Sequence, residues 1–436
     1  MTLVAPRHVL ALLLLVGCAK TGDADPALIR VVANGVDTTT RMQEPTAKAL
    51  GDDDKREGSD LWLGIQQAWQ RSNWGRMKKQ FIAPSGMDDR GAPREAEALA
   101  RIIVHDPCSL AVIGHLSSAA ALAATTKVYA NSRIPVILPS ASASSLTRAE
   151  LEKYVGHPVV NTFRLIPDDI QCQAPVLADT ARKLSGDAGN IAVIYDVKDD
   201  VKDYAAALGR GVYNCLRACM AGKPAAVQPW PIDSSGDHVP QMLSDIAATS
   251  AAVIVFVGYA SDFEKIGGML ESIYPATSRP VFLLSDGCMA TTLQLPNFRV
   301  LIACPVALPA STLPGDPRAT VDQALREALG SHNLVDFMFG YDALEIVLQA
   351  SQHALDDHGE VTYYTLTNAL EQERFHGWAE TAYEFHDGEN INAPYFVYDF
   401  LAGEKVSFYH APARRYNASD IKTLRDSFDS LEGRRQ

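Results

Sequence analysis

Residues 110–146, LAVIGHLSSAAALAATTKVYANSRIPVILPSASASSL, constrain the fold more than any other part of the chain. Residues 110–113 are a short apolar run suited to a strand buried on both faces, and Gly114 breaks it. Ser117 and Ser118 follow. An Ala-rich segment with good helix propensity then runs to Tyr129, so both serines fall at a helix N-terminus, where hydroxyls cap orphan N–H groups. A second apolar strand over 134–138 ends in Pro139 and the turn Ser140-Ala141-Ser142. Strand, turn, helix, strand, turn is a parallel unit. Both turns leave the carboxyl ends of neighbouring strands, where open α/β sheets place their ligands, and both offer hydroxyls and free N–H groups to an anion such as a carboxylate. A single serine at a helix start is ordinarily only a cap. Two serine-bearing turns at matching strand ends favour a ligand role for the pair.

The same alternation extends in both directions. At 436 residues the chain is too long for one compact core, so two domains of ordinary size are expected. In the first, strands are read over 28–36 and 77–83, and Pro93 opens a helix to His105. Ser59 is read as the cap of a helix to about Asn73, with Leu61, Ile65, Ala68 and Trp69 on its apolar face and Trp62 and Trp74 outside it. Residues 37–58 are polar and acidic and read as a long loop. After a polar connection over 147–160, helices over 170–184, 201–220, 239–248 and 262–272 alternate with strands over 191–195, 227–230, 252–257 and 280–284. A strand over 298–308, helices over 319–329 and 336–354, a third helix from about Thr362, and a strand pair turning at Asp387-Gly388 complete the chain.

Several functional classes are excluded. A formal charge of -13 and a pI near 5.3 leave no basic face for a nucleic acid. There is no G-x-S-x-G elbow, P-loop or H-E-x-x-H, and no zinc-ligand set, so no enzyme, cofactor or metal is expected. His115, in the first serine turn, has no nucleophile or orienting acid that the sequence places beside it, and reads as a turn histidine or a ligand contact. Residues 1–18 have a basic start, an apolar core and small residues before Cys18, which is an export signal too short to span a bilayer. Beyond it, Cys108, Cys172, Cys215, Cys219, Cys288 and Cys304 are open to either buried thiols or one or two disulfides.

VIGHLSSAAALA followed by IPVILPSAS resembles the branched-chain amino-acid-binding proteins, the type I periplasmic solute receptors that serve ABC importers. The resemblance runs through most of the chain and is close only in this segment. It implies an α/β fold of two doubly wound parallel-sheet lobes joined by a three-strand hinge. It also implies that Ser117, Ser118, Ser140, Ala141 and Ser142 hold a ligand carboxylate. On the opposite wall the family places two tyrosines and an acid that pairs with the ligand's ammonium. Tyr259 and Asp286 match the second tyrosine and the acid. Where the first tyrosine is expected this sequence has Asp200, with Tyr204 in place only if the loop shifts. For Asp286 a helix-capping role is the alternative, and for Asp88 and Asp89, which resemble an acidic pair of the family, a solvated turn. Gly340-Tyr341-Asp342-Ala343 is similar to a family signature and reads as packing in the first lobe.

Leu15-Val16-Gly17-Cys18 resembles a bacterial lipobox, which implies acylation at Cys18; a plain signal peptide cut nearby is the alternative. The expected organisation is a lipoprotein signal at 1–18 and a linker at 19–27. Lobe one follows from 28–163 with 308–385, lobe two from 164–307 with 386–412, and the tail is 413–436. The expected function is a monomeric solute-binding lipoprotein in the periplasm or at the cell surface, anchored by lipid alone. It captures an amino acid or related small carboxylate for an ABC permease by hinge closure. A ligand-sensing receptor of the same fold, and a structural lipoprotein or enzyme with a degenerate cleft, stay open as alternatives.

Overall fold

The computed structural model describes residues 27–33, 36, 57–72, 82–186, 189–197, 204–220, 227–232, 238–274, 279–288, 295, 298–306, 334–378, 382–393, 395–401 and 405–409. Its first sheet is built around β3 (Ser109–Gly114), which is buried at every residue, as a strand covered on both faces must be. β1 (Ala27–Val32) runs parallel beside it and pairs on its other side with β2 (Ile82–Met87). β4 (Val136–Leu138) and β5 (Thr162–Arg164) continue the parallel sheet in the other direction. The helices between these strands are α1 (Glu57–Arg71), α2 (Pro93–His105), α3 (Ser118–Lys127) and α4 (Arg148–Val155). The small residues of α3 allow close packing: Ala120, Ala121 and Ala124 are fully buried in one apolar cluster with Val112, Val136 and Leu138. Thr147 caps α4 through the Glu150 N–H, and Gly156 ends it at φ 77°.

The second sheet repeats the order. β6 (Asn190–Asp196) lies between β7 (Val227–Ile232) and β8 (Ala251–Val257), followed outward by β9 (Val281–Leu284) and β10 (Val300–Cys304), all parallel. Its helices are α5 (Ala174–Ser185), α6 (Ala205–Cys219), α7 (Val239–Ala248) and α8 (Ala260–Ile273). In both sheets the spatial order is second, first, third, fourth, fifth, which is the doubly wound arrangement.

The chain passes between the sheets three times. After β5 it enters the second sheet's helices through a π-helical turn, Asp169–Gln173. After β10 it returns to α9 (Leu334–His358), which packs along α1, and α10 (Tyr363–Gln372), opened by a Thr362–Thr365 capping box. Three short strands, β11 (Arg374–Phe375), β12 (Tyr383–His386) and β13 (Glu389–Asn390), then extend the first sheet, with β13 parallel to β5. The third passage leads to β14 (Phe396–Leu401) and β15 (Lys405–Tyr409), antiparallel additions beside β10. Because β13 stays in the first sheet, this passage starts beyond the expected boundary at residue 386. The result is a two-lobe α/β fold with three connections.

Several local expectations need correction. The second strand, expected over 77–83, is described over 82–87 and so runs four residues past its expected end, while 77–81 lie outside the described residues; its register is set by pairing with β1, which the apolar pattern alone does not encode. Helix α1 begins at Glu57, so Ser59 lies inside it, and Trp62, expected off the apolar face, is 5 % exposed in the core. β7 continues to Ile232 despite Pro229 and Pro231, because it is the edge strand and needs only one ladder of hydrogen bonds. Asp89 is buried, which rules out a wholly solvated turn. The expected strand over 298–308 is described as β10 from Val300 to Cys304, and 307–308 lie outside the described residues. The export signal with Cys18, most of the 37–58 loop, Trp74, Asp200, the 319–329 helix and the 413–436 tail lie outside the described residues.

The six described cysteines are free thiols. Burial pushes Cys172 and Cys215 up to about 12, so both stay protonated and unreactive.

Candidate ligand-binding site

The first serine turn begins where β3 ends. Gly114 has φ 124°, and a Cβ there would stand 2.0 Å from the Val32 carbonyl oxygen, so only glycine permits this exit from the sheet. His115 follows, fully buried, with Nδ1 2.6 Å from Asp89 Oδ2 and Nε2 3.4 Å from the Tyr129 hydroxyl. It is a satisfied turn histidine that pins the segment leading to the serines. Tyr129 is raised far above the usual phenol value, first by burial and then by the Asp89 charge, and stays protonated.

Ser117 is the N-cap of α3, its hydroxyl accepting from Ala120 N at 3.3 Å. Ser118 Oγ accepts from Ala143 N at 3.3 Å, and Ser140 Oγ donates to the Leu116 carbonyl at 3.4 Å. These two bonds stitch the first serine turn to the second. Ser142 is fixed through its carbonyl, which accepts from Arg164 Nη1 and from Asp169 N, each at 3.0 Å. Ala141 is fully buried in the core with Leu138 and Leu146 and does not line the cavity.

The turns after the strands of the second sheet face these serines. Asp286 follows β9, and its two carboxylate oxygens accept from different tyrosines. The Tyr204 hydroxyl donates to Oδ1, and the Tyr395 hydroxyl donates to Oδ2 at 3.0 Å. Gly287 N donates to Tyr204 Oη at 3.1 Å, and Gln173 Nε2 donates to Tyr395 Oη at 3.0 Å. Burial, then the neighbouring Asp286 charge, raises both phenols well above their ordinary value and keeps them as donors. Tyr259 lies against Tyr204 with ring centroids 5.5 Å apart.

One cavity of about 90 Å³ collects these groups. Ser117, Ser118, Ser140 and Ser142 line one side of it, and Tyr204, Tyr259 and Asp286 the other. Leu116, Ile166 and Pro305 add apolar wall, and the first turns of α9 supply Val335, Asp336 and Phe339. Of the residues singled out in the sequence, all the serines, Tyr259 and Asp286 therefore meet in one place, and Ala141 stands behind them. Tyr204, expected there only if the loop shifts, stands immediately before α6 and lines the cavity. Asp336, Phe339 and Tyr395 were not singled out. The spacing of Val335, Asp336 and Phe339, within one turn just ahead of the GYDA segment, was their available signal. No signal marked Tyr395.

Behind the serines is a buried ionic cluster at the lobe junction. Arg164 is 0 % exposed and reaches Glu389, Asp168 and the Ser142 and Ala143 carbonyls. Burial opposes its charge, but Glu389 and then Asp168 outweigh that and raise its pKa. Ser144 Oγ bonds Asp168 and Asp169 at 2.8 and 2.7 Å. Burial, then the Asp168 charge, raises Asp169 well above the usual carboxylate range. Among the described residues no group of three His, Cys, Asp or Glu side chains could hold a metal, and no helix is long and apolar enough to cross a membrane.

Two doubly wound lobes, three connecting passages and a cavity between the strand ends define the type I periplasmic-binding fold. Among solved structures, the chain is similar to the leucine-binding protein LivK of Thermotoga maritima, at 18 % identity and a TM-score of 0.65 over 89 % of this chain and 99 % of that one. It is similar to LivJ of Streptococcus pneumoniae in complex with isoleucine, at 17 % identity and 0.63 over 88 % and 100 %. It also resembles an ABC-transporter solute-binding protein of R. palustris in complex with benzoate, at 16 % identity and 0.66 over 90 % and 99 %. No protein-family model and no curated protein matches the chain.

Proposed function

We propose that this chain is an extracytoplasmic solute-binding protein. It takes an amino acid or related small carboxylate into the interlobe cavity by hinge closure and presents it to an ABC importer. The observation that carries the reading is that one cavity is lined at once by serine turns of the first lobe and by Tyr204, Tyr259 and Asp286 of the second. In this reading the ligand carboxylate rests against the serines and the N-terminus of α3, with Ala141 packed behind them, and a ligand ammonium reaches Asp286. The tyrosine faces and the apolar wall enclose its body. A ligand touching both lobes is fully bound only when they are shut, so it shifts the open and closed populations, and the permease reads the closed form. No chemical step is needed.

The proposal includes a lipidated N-terminus. Cleavage before Cys18 and its acylation would leave a monomer tethered to a bacterial membrane by lipid alone, in the periplasm or at the cell surface. The structural likeness to proteins solved with isoleucine and with benzoate supports a small carboxylate as ligand.

A thermal-shift screen over amino acids, their amides and small aromatic acids tests the reading. A ligand at about 100 times its Kd stabilises the folded chain by about 2.7 kcal/mol, which is a readable rise in melting temperature. A panel without any rise contradicts it.

A further inference from the structure

We infer that the end of the first lobe opposite the cavity is a lipid-facing surface, which rests on the interface of the bilayer to which Cys18 tethers the chain. This goes beyond the solute-binding reading and rests on its lipidated N-terminus. Six large apolar side chains are exposed among the described residues, and two of them, Val197 and Met269, belong to the second lobe. The other four, Ile102, Tyr154, Val160 and Tyr364, are 43, 65, 60 and 77 % exposed and all stand at one end of the first lobe. The parallel sheet fixes that end. β1, β3, β4 and β5 all start there, and the serine turns of the cavity leave the opposite ends of β3 and β4. Ile102 is in the last turn of α2, which leads into β3, Tyr154 is in the last turn of α4, and Val160 is two residues ahead of β5. Tyr364 is in the first turn of α10 beside Tyr363, which packs against the cluster of Val112 and Val136. The Tyr363 phenol is raised first by burial and then by the charge of Asp106, which stands just ahead of β3.

The route of the chain says what covers this face. β1 begins with Ala27 at the same end, and only residues 19–26 separate it from Cys18. A stretch of that length spans at most about 30 Å. An acyl chain on Cys18 therefore keeps this end within reach of the bilayer, and the cavity, at the far ends of the same strands, clear of the lipid. Tyrosine suits such a place, because its ring enters the apolar boundary while its hydroxyl stays hydrated. Exposed Arg133 and Lys153 stand at this end together with Asp356, Asp357 and Glu360, so no basic patch forms and the contact is apolar in kind, without dependence on anionic headgroups. The acyl chain stays the tether. The face sets how the lobe lies beneath it.

The test uses the acylated, full-length mature protein on phosphatidylcholine vesicles, with and without bromine on the lipid acyl chains. One tryptophan is added at the face, as Tyr154→Trp or Tyr364→Trp, or in the second lobe, as Met269→Trp. Emission in excess of wild type reports the added indole. Bromolipid is expected to quench that excess at least twofold in both face variants and to leave it unchanged in Met269→Trp. The quenching should persist at about 0.5 M salt, where charge contacts are screened. Where one face variant fails to fold, the other decides. Unquenched emission from the folded face variants overturns the inference, as does equal quenching in Met269→Trp or quenching that salt abolishes. The mass of the exported chain separates this failure from that of the reading beneath it. A chain without the acyl group removes the tether and the inference with it, whereas an acylated chain with an unquenched face overturns the lipid contact alone.

Discussion

Arg164 Nε donates to both carboxylate oxygens of Glu389 at 3.0 Å, which joins the first and third passages of the chain between its lobes. The same guanidinium holds the Ser142 and Ala143 carbonyls, so the anchor of the hinge is also the anchor of the second serine turn.

Replacing Arg164 by Leu leaves Glu389, Asp168 and both carbonyls without their shared donor inside the protein. Removing one partner of a buried ion pair costs about 3–5 kcal/mol. Chemical denaturation should show a loss of this size, and a loss below 1 kcal/mol would mean the cluster is not holding the junction.

Asp169→Asn probes the same cluster through pH. An acid whose pKa is raised by folding binds its proton more tightly in the folded chain. Between the ordinary value of 3.8 and the raised one, the folded chain therefore carries more protons, and stability falls as pH climbs through that window. Asparagine cannot ionise and escapes this loss. The stability of the variant relative to wild type should accordingly grow as pH rises above about 4, followed by melting temperatures across the range. A difference independent of pH contradicts the assignment.

Tyr395→Phe keeps the buried ring and deletes the hydroxyl between Gln173 and Asp286. Leaving buried polar atoms unpaired costs about 1–3 kcal/mol. Because Asp286 lines the cavity, ligand affinity should fall as well, whereas a stability loss with unchanged affinity would assign Tyr395 to packing alone.

Gly340→Ala tests the α1–α9 contact. A Cβ at Gly340 would stand 2.1 Å from the Leu61 carbonyl oxygen, and one at Gly64 would stand 2.0 Å from the Phe337 carbonyl oxygen, so the two helices cross backbone to backbone. Overpacking of this kind costs about 1–3 kcal/mol. A variant as stable as wild type in thermal unfolding would show that the helices can separate freely.

The fold was legible wherever a strand is buried on both faces or a helix carries its own start signal. β3, the helix from Pro93 and the Asp387-Gly388 turn are such cases, since the first follows from an apolar run and the others from backbone restrictions of single residues. The end of β2 at Met87 was not legible, because its register is decided by pairing with β1 and not by its own apolar pattern. The meeting of the serine turns, Tyr259 and Asp286 at one cavity was legible because each closes a strand in an α/β series. Tyr395 carried no such signal, because it meets Asp286 only when the third passage brings distant chain beside the cavity. The GYDA segment was read correctly as packing. Gly340 permits the helix crossing, and Asp342 accepts from the Trp378 N–H and, at 2.7 Å, from the Tyr383 hydroxyl, tying α9 to the end of the first sheet.

Calorimetric titration with the strongest ligand of the thermal screen, carried out on wild type and on a Ser117→Ala, Ser142→Ala double variant, addresses the anion-binding turns most directly. The account predicts one saturable site per chain in the wild type and at least a tenfold weaker affinity in the double variant, with its fold retained by circular dichroism. Unchanged affinity in a folded double variant would contradict it.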